Sequence, residues 1–222
     1  MGATGNFPID LILFGMIAAF LVLRLRSILG RRTGFEKPAQ PYQAPAPAQT
    51  GQVINLRPEP VAPTASRVIP EPATPVGQTL TQMHALDRGF DPAGFLNGAE
   101  YAFRLIVAGF AAGDRAALRS LLADDTYRAF EQAISARESV GHAQVSEIRG
   151  IHSMTIEDAA LRGSVASVAV RIVSDQTSVT NDKDGHPVAG ADAVTEIVDL
   201  WTFERDLAQT DPTWRLVAAR SA

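Results

Sequence analysis

Asp199 is the residue of this chain whose setting best suits acid–base chemistry. It lies in the run VTEIVDLWTFERD, where strand alternation places it on the same face as Trp201. A carboxylate withdrawn from water among apolar side chains has a raised pKa and could act as a general base. His152 and Glu157, in neighbouring segments, could join it. The structural alternative is that Asp199 pairs with an arginine such as Arg171, or lies at a bulge.

Other catalytic and ligand-binding patterns are missing from the sequence. The absence of cysteine excludes thiolate nucleophiles, thiolate metal sites and disulfides. The four histidines show no metal-ligand spacing on a helix, and there is no glycine-rich phosphate loop. A net charge of −4 over 222 residues argues against nucleic acid as a partner. We therefore predict no enzyme activity, no catalytic residue, no cofactor and no bound metal.

The aromatic residues of the last strands could instead build a binding pocket. Trp201, Phe203 and Trp214 could accept an apolar peptide or an acyl chain, although such side chains more often form only the core. The predicted pocket set is Tyr127, Phe130, Ile197, Asp199, Trp201, Phe203 and Trp214.

Two periodicities indicate the elements that hold these residues. Residues 94–112 are apolar on nearly every face, which predicts a buried helix, and Gly113 and Asp114 predict its C-cap and the next N-cap. Amphipathic helical patterns follow until Gly141. The period then changes to two, and NDKDGH predicts a hairpin turn. Helices followed by strands predict an α+β domain, with helices packed on a curved antiparallel sheet as in the NTF2-like cone.

The N-terminal segment predicts a membrane anchor. Residues 11–23 carry no polar side chain, and the apolar stretch reaches the lower end of spanning length when counted from Phe7. No Lys or Arg precedes Arg24, whereas four arginines follow the stretch; they are Arg24, Arg26, Arg31 and Arg32. This asymmetry predicts an uncleaved single-pass anchor with the rest of the chain in the cytoplasm. The arginines could also contact anionic lipid, and the alternative is an amphipathic helix that lies on the membrane surface or packs on the domain.

A proline-rich segment separates this anchor from the domain. Ten of the fourteen prolines lie between residues 33 and 78, which predicts an extended, disordered linker. The predicted organisation is an anchor with a basic flank over residues 1–32, a linker over 33–79 and an α+β domain over 80–222.

The C-terminal part resembles a known family. The runs FLNGAEYAFRLIVAGFAAGD, RAALRSLLADDTYRAFEQAISARE and VDLWTFERDLAQTDPTWRLVA resemble the C-terminal domain of the Tim44 family, the matrix-side subunit of the mitochondrial presequence translocase. The resemblance covers about residues 85–222 and is nearest to the bacterial branch, often called TimA.

The resemblance implies a non-catalytic adaptor. The mitochondrial protein recruits a heat-shock chaperone, contacts incoming precursors and associates with the membrane, but its chaperone- and channel-binding segments lie before the C-terminal domain. We therefore expect a scaffold at the cytoplasmic face of a bacterial inner membrane that binds a protein partner or client, such as a translocase component, a chaperone or a membrane protein. Alternatives are a cone domain that binds a small molecule or lipid, and an isomerase-type enzyme that uses Asp199.

Overall fold

The computed structural model describes residues 65–221 as helices on one sheet. The helices are α1 (Pro75–Leu86), α2 (Pro92–Ala112), α3 (Arg115–Leu121) and α4 (Asp124–Ser139). The strands are β1 (Ser66–Val68), β2 (Ala143–Arg162), β3 (Val165–Asn181), β4 (Pro187–Asp206) and β5 (Arg215–Ser221). Helices that precede consecutive strands confirm the predicted α+β class.

Short polar side chains cap the starts of α1, α2 and α3. Asp91 accepts a hydrogen bond from the Gly94 amide at 2.6 Å, and Asp114 accepts one from the Ala117 amide at 3.0 Å. Gly113 ends α2 in the left-handed conformation, with φ of 72°. The predicted C-cap and N-cap pair is therefore confirmed, and it turns the chain from α2 into α3.

The sheet is mixed rather than purely antiparallel. Strands β2 to β5 pair antiparallel in chain order, but β1 joins the edge of β2 in parallel. The predicted linker up to residue 79 missed β1 and the first turn of α1, because the prolines around them obscured both elements. Arg67 of β1 forms an ion pair with Glu100 of α2 at 2.7 Å, which ties this strand to the helical layer.

Strand β2 contains three interruptions of its register with β3. They fall between Ile148 and Gly150, between Ile151 and Ser153, and between Ile156 and Asp158. Each bulge bends a strand and re-aims a side chain. The long β2–β3 pair is therefore not a regular ladder.

The core lies between the helices and the inner face of the sheet, by which we mean the face that the helices cover. Alternate residues of β3, namely Val168, Val170 and Ile172, are fully buried on this face. Phe103 of α2 packs edge-on against Trp201 of β4, with ring centroids 4.7 Å apart. Strand alternation thus places the aromatic residues of β4 under α2.

The predicted anchor and its basic flank (residues 1–32) and the linker up to residue 64 lie outside the described residues. Among residues 65–221, no helix has the length and apolarity needed to span a membrane.

Candidate functional site

Asp199 lies on the inner face of β4 within a small polar group. Gln176 donates a hydrogen bond to its carboxylate at 3.4 Å and another to Ser174 at 3.0 Å, and both of these β3 residues are buried. Burial raises the pKa of Asp199 to about 6, although hydrogen bonds from Gln176 and Trp201 act in the opposite direction. The carboxylate is therefore held neutral more readily than an ordinary aspartate.

The residues expected to assist Asp199 lie elsewhere. His152 contacts Asp175 at 3.0 Å, and Arg171 contacts Glu157 at 3.4 Å. Asp175 and Arg171 alternate along β3 with its buried residues, so both pairs lie on the outer face of the sheet. The hypothesis that His152 and Glu157 join Asp199 is therefore wrong, and so is the alternative that Arg171 pairs with it, because these side chains project from the opposite face of the sheet.

Aromatic rings collect where α2 begins and where β4 ends. The Phe95 ring lies 4.8 Å from that of Trp214 and 6.0 Å from that of Phe203, measured between centroids. Phe90, in the turn before α2, lies 5.7 Å from Trp214. These distances are typical of tilted and edge-to-face contacts, which add to the stabilisation from burial.

A cleft of about 390 Å³ opens beside these rings. Its aromatic lining is Phe90, Phe95, Phe203 and Trp214, and α2 contributes the small residues Gly94 and Gly98. We call this space the aromatic cleft. A Cβ placed on Gly98 would meet no atom within 4 Å, so the helix surface there is open. Tyr101, one turn further along and 66% exposed, lies at its edge.

Only two residues of the predicted pocket set line the aromatic cleft, namely Phe203 and Trp214. Trp201 is buried under Phe103. Ile197 and Asp199 lie nearer the middle of β4 and do not line the cleft.

The two helical members of the set make other contacts. The Phe130 ring packs on that of Phe110 at 5.1 Å, and Tyr127 lies under the guanidinium of Arg119 at 4.8 Å. The structure thus divides the predicted set among the cleft, the core and the helical layer.

Two aromatic residues of the cleft were missed in the sequence. Phe90 precedes the helix, and Phe95 lies in a helix that is apolar on nearly all sides, so periodicity gave no reason to place either with the strands. A usable signal was the position of Phe90 just before the N-cap Asp91 and of Phe95 at the fourth helical residue, since apolar residues at these two positions often pack together; their ring centroids are 6.3 Å apart.

A largely buried ion pair lies beside the aromatic cleft. Arg205, which also lines the aromatic cleft, contacts Asp87 at 2.9 Å, and their side chains are only 13% and 20% exposed. This pair joins the end of β4 to the turn after α1. The cleft therefore has an apolar floor and one neutralised charge pair at its border.

Comparison with known proteins decides the family. A family model described as the Tim44-like domain matches residues 76–221. The chain belongs to the Tim44-like family. The resemblance seen in the sequence is thereby confirmed, and the match takes in α1 to α4 and β2 to β5.

Several solved structures are similar to this Tim44-like chain at low sequence identity. The intermembrane space region of the chloroplast protein ARC6 is 12% identical, covers 60% of this chain and 96% of its own, and has a TM-score of 0.44. A putative dehydratase of the NTF2-like family from Streptomyces avermitilis is 12% identical, with coverages of 59% and 97% and a TM-score of 0.39. A conserved protein from Planctomyces limnophilus is 16% identical, with coverages of 58% and 94% and a TM-score of 0.35. No curated protein matches the chain significantly.

The two candidate sites of the Tim44-like domain, the aromatic cleft and Asp199, offer different chemistry. The aromatic cleft offers apolar surface and an open helix face, which suit the docking of an apolar side chain. Asp199 offers one carboxylate of raised pKa whose described hydrogen-bond partners, Gln176 and Trp201, are not titratable near neutral pH. Binding at the cleft is therefore the better supported of the two.

Proposed function

We propose that this chain is a membrane-tethered, non-catalytic adaptor. Its Tim44-like domain binds a protein partner or client at the cytoplasmic face of the bacterial inner membrane, in protein translocation or membrane-protein biogenesis. Membership of the Tim44-like family supports an adaptor-type domain. The apolar N-terminal segment followed by four arginines supports the tether and its orientation.

The aromatic cleft is the observation that carries the binding role. The rings of Phe90, Phe95, Phe203 and Trp214 line a space of about 390 Å³, enough for a large apolar side chain or a short apolar segment. Gly98 leaves the α2 backbone accessible, so a bound segment could approach the helix closely. We propose that an apolar stretch of the client occupies the aromatic cleft, with exposed Tyr101 packing over it.

Photocrosslinking in intact cells tests this role. A photoreactive amino acid in place of Tyr101 should yield adducts between the full-length chain and a membrane or secretory protein. The same probe combined with Gly98→Leu should lose those adducts, because the leucine side chain fills the open space beside the helix. Ala108→Leu is the matched control, since Ala108 is an exposed residue of α2 that does not line the cleft.

The outcomes distinguish binding of the client in the aromatic cleft from binding elsewhere. Adducts that persist unchanged in Gly98→Leu would refute occupation of the aromatic cleft by the client. Complete absence of protein adducts would refute the adaptor role at this surface. Equal loss in Ala108→Leu would mean that a bulky residue anywhere on α2 disturbs the domain.

An isomerase-type activity is the second candidate, and the pKa of Asp199, about 6, is the observation that favours it. A general base works best when its pKa lies near the working pH. Asp199→Asn would abolish such an activity while preserving the shape of the side chain. Normal growth of a strain that needs this protein and carries only the Asp199→Asn variant would refute the enzyme hypothesis. The adaptor hypothesis would then remain.

A further inference from the structure

Three potential metal ligands converge on the outer face of the sheet, away from the aromatic cleft. They are His152 of β2, Asp175 of β3 and Glu196 of β4, and one ligand atom of each lies within 4.8 Å of the others. The His152 Nε2 and Asp175 Oδ2 atoms are 3.0 Å apart. We call this group the outer cluster.

Strand register accounts for the convergence. Asp175 and Glu196 are directly opposite each other in the antiparallel β3–β4 pair, so their side chains share one face. His152 lies at the register shift between Ile151 and Ser153, two residues after Gly150, which pairs with Asp175. The bulge directs the imidazole toward the carboxylate across the strand.

The outer cluster carries more negative charge than its surroundings neutralise. Like charges directly opposite each other on neighbouring strands are unfavourable, yet Asp175 and Glu196 occupy such positions. Within residues 65–221, the Glu196 side chain forms no hydrogen bond or ion pair. The arginines of this face are engaged elsewhere, Arg149 with Glu147 at 3.0 Å and Arg171 with Glu157 at 3.4 Å.

We infer that the outer cluster is a binding site for a divalent transition-metal ion, with zinc as the best match. One imidazole nitrogen and two carboxylate oxygens are ligands that zinc accepts, and three protein ligands leave a position open for water. The ion would bind between the His152 Nε2 and Asp175 Oδ2 atoms, which are 3.0 Å apart. It would also relieve the repulsion between the two carboxylates and join three strands.

Calorimetric titration of the purified full-length chain with zinc chloride tests the site. We expect one zinc ion per chain, and we expect His152→Ala, Asp175→Asn and Glu196→Gln each to weaken binding at least about tenfold, since even outer-shell partners of a metal commonly account for that much. All three positions lie on the surface of the sheet, and circular dichroism of each variant checks that it folds. Calcium and magnesium should bind far more weakly, because they gain little from an imidazole ligand.

The hairpin between β3 and β4 offers a matched control. His186 lies 3.6 Å from Asp182 there, but this pair has no third ligand within the described residues. His186→Ala should leave zinc binding unchanged. The inference is overturned if the native chain binds no zinc, if His152→Ala binds as tightly as the native chain, or if calcium binds as tightly as zinc.

Discussion

Replacement of Asp199 by asparagine should stabilise the domain at neutral pH. Burial raises the pKa of this carboxyl from its ordinary value of 3.8 to about 6, so the folded state holds the proton more tightly than the unfolded state does. A raised pKa means that stability is greatest at low pH and is lost as pH rises between these two values. Because one pKa unit corresponds to about 1.36 kcal/mol, the ionised carboxylate costs the fold about 3 kcal/mol above pH 7.

Asparagine removes this cost because it carries no charge at any pH. The stability advantage of Asp199→Asn over the native chain should therefore grow by about 3 kcal/mol between about pH 3.5 and pH 7.5 and stay constant above that. For a domain of this size, a difference of that order is about 6–12 °C in melting temperature. Urea unfolding of both full-length chains, followed by circular dichroism at several pH values, measures the difference directly.

Asp206→Asn is the control of opposite sign. Hydrogen bonds from Ser164 and from the Ala208 amide hold the pKa of Asp206 below its ordinary value, so this carboxylate stabilises the fold at neutral pH and its contribution is lost as pH falls. Its asparagine variant should thus lose stability relative to the native chain as pH rises. An advantage of Asp199→Asn that does not change with pH, or a loss of stability at pH 7.5, would refute the reasoning for Asp199.

Three further changes are checked by urea unfolding of the full-length chain. Gly98→Ala should raise the free energy of unfolding by about 0.5–1 kcal/mol, because a Cβ there meets nothing and glycine weakens a helix by that amount; a loss would mean that the space is not open. Arg137→Ala should lower it by about 2–4 kcal/mol, since the guanidinium donates hydrogen bonds to the Phe110 and Ala111 carbonyls that end α2. Arg137→Lys should recover only part of this lost free energy, and full recovery would contradict the role of hydrogen bonds to both carbonyls. Phe103→Ala should lower it by about 3–5 kcal/mol, because the ring is fully buried, and an unchanged value would contradict its place in the core.

The regular elements could be predicted because their signals are local. A left-handed glycine at 113 followed by Asp114 marks a helix end and a helix start, and both occur as predicted. The alternation of Val168, Val170 and Ile172 predicted a half-buried strand, and all three are buried. Such signals depend only on neighbouring residues, so one sequence is enough to read them.

The candidate sites could not be predicted to the same extent, because they depend on contacts between distant segments. Phe130 has helical spacing that indicates an inward face, yet spacing does not tell which part of the core that face meets. His152 and Asp175 are brought together by a bulge, which shifts a strand by one residue and leaves no pattern in the sequence. Strand β1 lies among prolines, and only its pairing with β2 stabilises it.

Strand β1 has a mechanical consequence for a tethered domain. A pull on the chain from residues before 65 would first load the three residues of β1, which pair in parallel with β2. The Arg67–Glu100 ion pair passes part of that load to α2. Glu100 is flanked in the sequence by Gly98 and Tyr101, which line the aromatic cleft. Under the proposed function, tension in the tether and occupancy of the cleft would therefore act on the same turn of α2.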